Sequence, residues 1–271
     1  MTPDDRSARL SFAQAIATEA GALTLRWFNS PELAAETKGD GSPVTAADRA
    51  AERLLRERIE AEYPDDAILG EEFDDRPGTS GWRWVLDPID GTKSFVRGVP
   101  LYGTMVACEY KGQATVGVIR MPALDETVAA ATGGPSLWKP SGSDDTRPLR
   151  AGPATAPDQA LAVWTCPEYY HELGLDPVYH AIERSVAMVR GWSDCYAFVL
   201  LATGRADALV EAGLQTWDLA AAVPILHEAG LALTDWQGNP NPTGERVLAC
   251  VPAIQPDLLA IIRAAGTPAG P

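Results

Sequence analysis

The chain has 271 residues, 46% of them hydrophobic and 22% charged, and a formal net charge of −15. Such a composition excludes wholesale disorder and suits one large domain or two closely joined ones. The excess of carboxylates repels polyphosphate backbones, which speaks against nucleic acid as a partner, and there is no run of about 18 apolar residues to span a membrane.

Taken in chain order, Leu10, Ala13, Ala17, Ala20, Leu23 and Trp27 recur at three- and four-residue steps, which predicts an amphipathic helix over 7–28. Lys38 to Pro43 (KGDGSP) reads as a flexible loop. Thr45, three residues before Asp48, is a capping-box variant that opens a helix through about Glu62, with Leu54, Leu55 and Ile59 inward and Pro64 beyond its end. Trp82–Asp87 reads as a strand running into the turn Pro88-Ile89-Asp90-Gly91. Tyr102–Tyr110 and Gln113–Met121 flank Lys111-Gly112 as a hairpin, and another strand covers about 126–131. The Gly-, Pro-, Ser- and Asp-rich stretch from Gly133 to Pro157 is the expected boundary between an N-terminal unit, 1–150, and a C-terminal unit, 151–271. Beyond it, strands are expected near 160–165, 208–211, 231–234 and 247–251, and helices near 177–188, 195–202, 218–229 and 256–265. This interleaving argues for a layered α/β architecture.

The four cysteines (Cys108, Cys166, Cys195, Cys250) and three histidines (His171, His180, His227) show neither C-x-x-C nor zinc spacing, so scattered thiols in a reducing compartment are expected. The start, MTPDDRSARL, is polar and acidic where a secretory signal would be basic and then apolar. A cytoplasmic protein is the expectation.

Three separated segments put acidic residues where strands and loops end: Gly70-Glu71-Glu72, Asp87-Pro88-Ile89-Asp90-Gly91-Thr92, and Trp217-Asp218. Magnesium takes oxygen ligands, commonly one or two carboxylates together with water and phosphate. Two aspartates three residues apart on a proline-stiffened turn are able to share one cation or bridge two, and a pair of metals clamps the attacking and leaving oxygens of an in-line displacement. A bound cation would also reverse the field that so acidic a chain presents to an anionic substrate. Each segment has a plainer reading. Glu71-Glu72 suits a solvated surface, Asp218 a helix N-cap, and Gly91-Thr92 a turn glycine with a capping threonine. If a helical turn starts at Gly91-Thr92, its free amides would instead seat an anion.

In order and spacing, Gly70-Glu71-Glu72, Leu86-Asp87-Pro88-Ile89-Asp90-Gly91-Thr92 and Trp217-Asp218-Leu219-Ala220-Ala221 resemble the inositol monophosphatase family, and Lys38…Ser42-Pro43-Val44-Thr45-Ala46-Ala47-Asp48 fits its N-terminal signature. The resemblance covers essentially the whole chain. It implies an αβαβα sandwich, a homodimer, and a phosphomonoesterase dependent on two or three Mg²⁺ ions per subunit; in-line attack by a metal-bound water, without a covalent phosphoenzyme, is the mechanism expected of it. By the same resemblance, Glu71, Asp87 and the Ile89 carbonyl would hold a first metal, and Asp87, Asp90 and Asp218 a second. Asp48 and Glu71 would orient a weaker third metal and the nucleophilic water, with Thr92 as proton relay. Phosphate would meet the Gly91 and Thr92 backbone, and Lys38 would belong to a mobile loop beside the site.

Within the family, the stretches Asp90-Gly91-Thr92-Lys93-Ser94-Phe95-Val96-Arg97-Gly98-Val99-Pro100 and Gly191-Trp192-Ser193-Asp194-Cys195-Tyr196-Ala197-Phe198 look closest to histidinol-phosphate phosphatases. Inositol-specific members usually have small uncharged residues where Asp194 stands. Carboxylates at Asp194 and Glu211 would suit an amine and an imidazole through charge-assisted hydrogen bonds. Asp194 would equally serve as the N-cap of the helix after it. Arg190 would steer phosphate or pair with a neighbouring acid, and Trp192 would line the substrate site or pack in the core. Other readings are inositol 1-phosphate, a sugar bisphosphate or a 3′-phosphoadenosine nucleotide as substrate, and, from another class, a non-catalytic regulatory binding module. A haloacid-dehalogenase-type phosphatase would need D-x-D-G-T, whereas here three residues separate Asp87 from Asp90.

Overall fold

The computed structural model describes residues 2–31, 33–37, 39, 43–192, 194–240, 242 and 246–266. Helix α1 (Pro3–Thr24) opens on a capping box between Thr2 and Asp5. Strands β1 (Ala35–Thr37) and β2 (Pro43–Thr45) pair antiparallel and lead into α2 (Ala46–Glu62). The box at its start is the expected one: Thr45 Oγ1 accepts from the Ala47 amide at 3.1 Å, and Asp48 Oδ2 accepts from the Thr45 amide at 2.8 Å. There follow β3 (Ala67–Gly70), β4 (Trp82–Asp90), α3 (Thr92–Val96), β5 (Gly103–Tyr110), β6 (Gln113–Met121), β7 (Glu126–Ala131) and β8 (Ser136–Lys139). Next come β9 (Leu161–Val163), α4 (Pro167–Glu172), α5 (Asp176–Ser185), β10 (Met188–Arg190), α6 (Cys195–Ala202) and β11 (Ala208–Ala212). The chain closes with α7 (Thr216–Ala220), α8 (Ala222–Glu228), β12 (Ala232–Asp235), β13 (Arg246–Cys250) and α9 (Gln255–Gly266).

One sheet has six strands in the order β3-β4-β5-β6-β7-β8, antiparallel throughout except for the β3–β4 pair. The other has five, β10-β9-β11-β13-β12. Alternation along the strands divides their side chains between two cores. Trp84, Leu86, Val106, Cys108, Val116, Val118, Ala129 and Ala131 face α1 and α2. Their neighbours Val85, Met105, Ala107, Ile119, Met121, Val128 and Ala130 enter a core shared with α6, α8 and the five-stranded sheet. With α5 and α9 packed together on the outer side of the second sheet, the layers run αβαβα. Covered on both faces, β5 and β7 are buried nearly end to end and are apolar through Met105–Cys108 and Val128–Ala131.

Two expectations are corrected. The helix expected over 177–188 stops at Ser185, because Met188–Arg190 instead forms a parallel ladder with Leu161–Val163. The helix expected over 218–229 is two pieces meeting at Ala221, where Pro224 has no N–H to give to the Ala220 carbonyl. The stretch 133–157, where the unit boundary is expected, contains β8 and packs against the shared core. Leu149 and Ala154 lie in the shared core, and the Arg150 and Ala151 amides donate to the carbonyls of Ala202 and Ala229 at 2.9 and 2.8 Å. The two sheets draw on residues either side of 150, but the core between them is built from both.

Candidate active site

The site begins with an irregularity in β4. Asp87 pairs with Met105 and Asp90 with Gly103, so three steps on β4 oppose two on β5. In a regular strand residues three apart point to opposite faces; one extra residue returns them to the same face. Pro88, which has no ladder proton to lose, sits in this bulge, its carbonyl accepting from Thr104 Oγ1 at 2.9 Å. At the end of the strand Gly91 takes φ +86°, a turn that glycine makes without steric cost, and α3 starts at Thr92.

Helix α7 packs against β4 and β5 and carries Asp218. Asp218 is the third residue of the helix rather than its N-cap, and Oδ2 accepts from the Gln215 amide at 2.7 Å. Carboxylate oxygens of Asp87, Asp90 and Asp218 lie within 4.8 Å of one another. Glu71, just past β3, lines the same cavity, as do Ile89, Gly91 and Thr92. Thr92 Oγ1 stands 3.0 Å from the Ile89 carbonyl oxygen and 3.3 Å from Asp48 Oδ1, which brings in buried Asp48 from α2.

These carboxylates crowd one another, and each raises its neighbours' affinity for protons. Burial and then the charges of Glu71, Asp90 and Asp218 push Asp87 well above the usual carboxylate range. Burial and then Asp194 and Asp218 do the same to Asp90, although the Cys195 amide donates to its Oδ2. Burial raises Asp48 against the opposing hydrogen bonds from Thr45. A cation would offset like charge this crowded, and the cavity lining contains no histidine or cysteine among the described residues. An all-oxygen donor set suits a hard divalent ion. The residues fit such a metal.

The cavity, about 380 Å³, extends from the aspartates to Thr165, Asp194, Phe198, Glu211 and Trp217. Asp194 stands at the N-cap position of α6 but makes no capping hydrogen bond there; Asp90 receives the Cys195 amide in its place. Its backbone is held at φ +55°, ψ −151°, a region that favours glycine. Glu211, on β11, is 2% exposed; Oε2 accepts from the Thr165 amide and hydroxyl at 2.9 and 3.1 Å, whereas Oε1 is buried without a hydrogen-bond partner. Burial pushes its carboxyl up to about 8 against those bonds from Thr165.

Two expected residues are placed apart. Arg190, at the exposed end of β10, is not part of the lining and donates to the Val189 carbonyl at 2.6 Å. Trp192, 40% exposed, neither lines the cavity nor packs in the core. Lys38 lies outside the described residues. Several lining residues carried no signal of their own in the sequence. Lys93, Tyr169, Glu172 and Leu173 line the cavity mouth, where Lys93 Nζ reaches the Tyr169 hydroxyl at 3.3 Å. Only Lys93 had a pointer, its place one residue after Thr92.

The family model for the inositol monophosphatase family matches residues 5–267. The chain is 40% identical over 266 residues to a histidinol-phosphatase of Chlorobaculum parvum, covering 97% of each chain. It is 35% identical to a histidinol-phosphatase of Mycobacterium tuberculosis, covering 92% of this chain and 94% of that one. It is 32% identical to an inositol-1-monophosphatase of Rhizobium meliloti, covering 90% and 92%. Among solved structures it superposes on an extragenic suppressor protein of Bartonella henselae with a TM-score of 0.86 at 26% identity, covering 94% of this chain and 98% of that one. An inositol monophosphatase from Zymomonas mobilis gives 0.80 at 32% identity, covering 95% and 98%. The chain belongs to the inositol monophosphatase family of phosphoric monoester hydrolases.

Proposed function

We propose that this phosphatase is magnesium-dependent and that its substrate is L-histidinol phosphate, cleaved to L-histidinol and phosphate. The observation that carries the chemistry is the mutual approach of Asp87, Asp90 and Asp218 within 4.8 Å. The one that favours the substrate is the pair Asp194 and Glu211 on the cavity wall, with a buried Glu211 oxygen lacking a partner. An amine and an imidazole supply the donors that such an oxygen lacks, whereas a neutral polyol offers no charge to match. Similarity to two named histidinol-phosphatases at 40% and 35% identity supports the same reading.

Glu71, Asp87, Asp90, Asp218 and the Ile89 carbonyl would hold the magnesium, which when bound neutralises the phosphate and acts on it as a Lewis acid. The Gly91 and Thr92 amides receive phosphate oxygens. Glu71 orients the attacking water, and Thr92 Oγ1 takes its proton while passing its own to Asp48 Oδ1. Water's oxygen bonds to phosphorus as the phosphorus–alcohol bond breaks, the departing oxygen takes a proton from solvent water, and Asp48 returns its proton to solvent. Asp194 and Glu211 hold the amine and imidazole of the alcohol. Arg190 would act only in drawing the anion toward the cavity from outside. Three of the four cysteines are buried and all are free, which is in keeping with a cytoplasmic setting.

The test is phosphate release from histidinol phosphate, inositol 1-phosphate and adenosine 3′,5′-bisphosphate, with Mg²⁺ and with chelator. Histidinol phosphate should have the highest kcat/KM by at least about tenfold, and chelator should abolish turnover. Inositol 1-phosphate in first place would refute the substrate, and undiminished turnover in chelator would refute the metal.

A further inference from the structure

Glu52 is a charged residue on the inner face of α2, one turn beyond Asp48, and it is fully buried. Oε1 accepts from Arg56 Nε at 2.7 Å, and Oε2 accepts from the Glu72 amide at 2.8 Å. Arg56 then reaches past it: Nη2 donates to the Phe73 carbonyl and Nη1 to the Asp74 carbonyl, both at 3.0 Å. The Phe73 ring centroid is 5.8 Å from the Arg56 guanidinium and 5.6 Å from that of Arg53. On the other side of Glu71 the chain has no slack, because a Cβ on Gly70 would lie 2.1 Å from Glu52 Oε1. Neither Glu52 nor Arg56 lines the cavity.

A buried ion pair is a poor stability device, since desolvation cancels much of its attraction and apolar residues of like volume often do as well. What this pair does is geometric. It holds the backbone at Glu72, Phe73 and Asp74 from one helix, against which Gly70 packs too closely for a side chain, and that helix also carries Asp48. Glu71 is the residue left between the anchored positions.

We infer that Glu52 and Arg56 are positioning residues for the metal site: they clamp the 70–74 loop to α2 and thereby fix Glu71 relative to Asp87 and Asp48. This rests on the proposed reading of Glu71 as a metal ligand. Disturbing the partners that orient a ligand typically costs 10- to 100-fold in metal affinity.

Electrostatics and positioning make opposite forecasts here, which allows a clean test. Arg56→Met removes a positive charge near an anionic cage, so charge alone would tighten metal binding; loss of the clamp would weaken it. Arg56→Lys keeps the charge but cannot span Glu52, Phe73 and Asp74 at once, so charge alone predicts no change. Metal-stripped full-length protein is titrated with Mn²⁺ by electron paramagnetic resonance, with folding checked by circular dichroism. Both variants are expected to bind Mn²⁺ about tenfold more weakly than the parent, with KM for the ester within about twofold and the loss confined to kcat and metal dependence. Arg56→Lys in a Glu71→Gln background should add little to the loss from Glu71→Gln alone, because the clamp acts through Glu71. Should Arg56→Met not fold, Arg56→Lys decides. Folded variants that bind Mn²⁺ as tightly as the parent, or a fully additive double variant, overturn the inference. A parent that binds no Mn²⁺, or Glu71→Gln without effect, instead overturns the reading of the cage itself.

Discussion

Thr92 Oγ1 lies 3.3 Å from Asp48 Oδ1, joining segments 44 residues apart, and 3.0 Å from the Ile89 carbonyl oxygen. One hydroxyl proton serves only one of these acceptors at a time. Asp48 keeps its other oxygen on Thr45, at 2.8 Å from the amide and 2.5 Å from the hydroxyl, so the carboxylate caps a helix and faces the site at once. The geometry suits a relay in which Thr92 passes a proton toward Asp48.

Thr92→Ala should therefore lower kcat by about 10²-fold or more, with KM changed far less, and Thr92→Ser should restore most of the rate. Steady-state kinetics on both variants checks this. A Thr92→Ala enzyme near parental kcat would remove the relay.

Asp87→Asn and Asp90→Asn should each cost at least about 10³-fold in kcat at saturating magnesium. In chelator the same variants should melt above the parent, because one member of a mutually repelling buried group has lost its charge. Paired activity and thermal-melt measurements test both halves; unaltered turnover, or metal-free melts below the parent, would contradict the cage.

Glu211 gives a pH signature in metal-free protein. Its folded carboxyl titrates near 8 against an ordinary value of 4.5. A raised acid favours the folded state fully below its unfolded value, and that contribution is lost as pH rises through the folded one. Glu211→Gln has no such loss. The melting-temperature difference, variant minus parent, should therefore grow between pH 5 and pH 9, and a constant difference would show that Glu211 is charged throughout.

Asp194→Asn keeps the shape of the cavity wall and removes the charge. Its kcat/KM for histidinol phosphate should fall about tenfold relative to that for inositol 1-phosphate. Asp194→Gly should in turn stabilise the fold by about 1 kcal/mol, through relief of a backbone conformation glycine tolerates. An unchanged substrate ratio in Asp194→Asn would leave the specificity argument on Glu211 alone.

Lys93 is the single lysine or arginine among the described lining residues. Lys93→Met should raise KM and the inhibition constant for inorganic phosphate about fivefold, with kcat little altered, and the gap should narrow as salt rises. Competition kinetics at low and high ionic strength measures it.

What the sequence determined by itself was whatever depends on near neighbours. The capping box at Thr45 and Asp48 and the β5–β6 hairpin about Lys111-Gly112 follow from local sterics and hydrogen bonding, so they were legible with their ends nearly in place, whereas the turn expected at 88–91 is a bulge within β4, which runs on to Asp90. Where local pattern and packing disagreed, packing won: Met188 continued a helical rhythm yet joined a ladder with Leu161. Whether Asp194 caps its helix depended on another carboxylate, Asp90, taking the Cys195 amide across 105 residues of chain. The raised acid at Glu211 owes its character to burial between distant elements, against hydrogen bonds from Thr165, 46 residues away. Likewise Glu52 was one more charge on a charged helix until the 70–74 loop closed over it. Hydrogen bonds and buried charge take their strength from whatever surrounds them, and only the folded chain decides what that is.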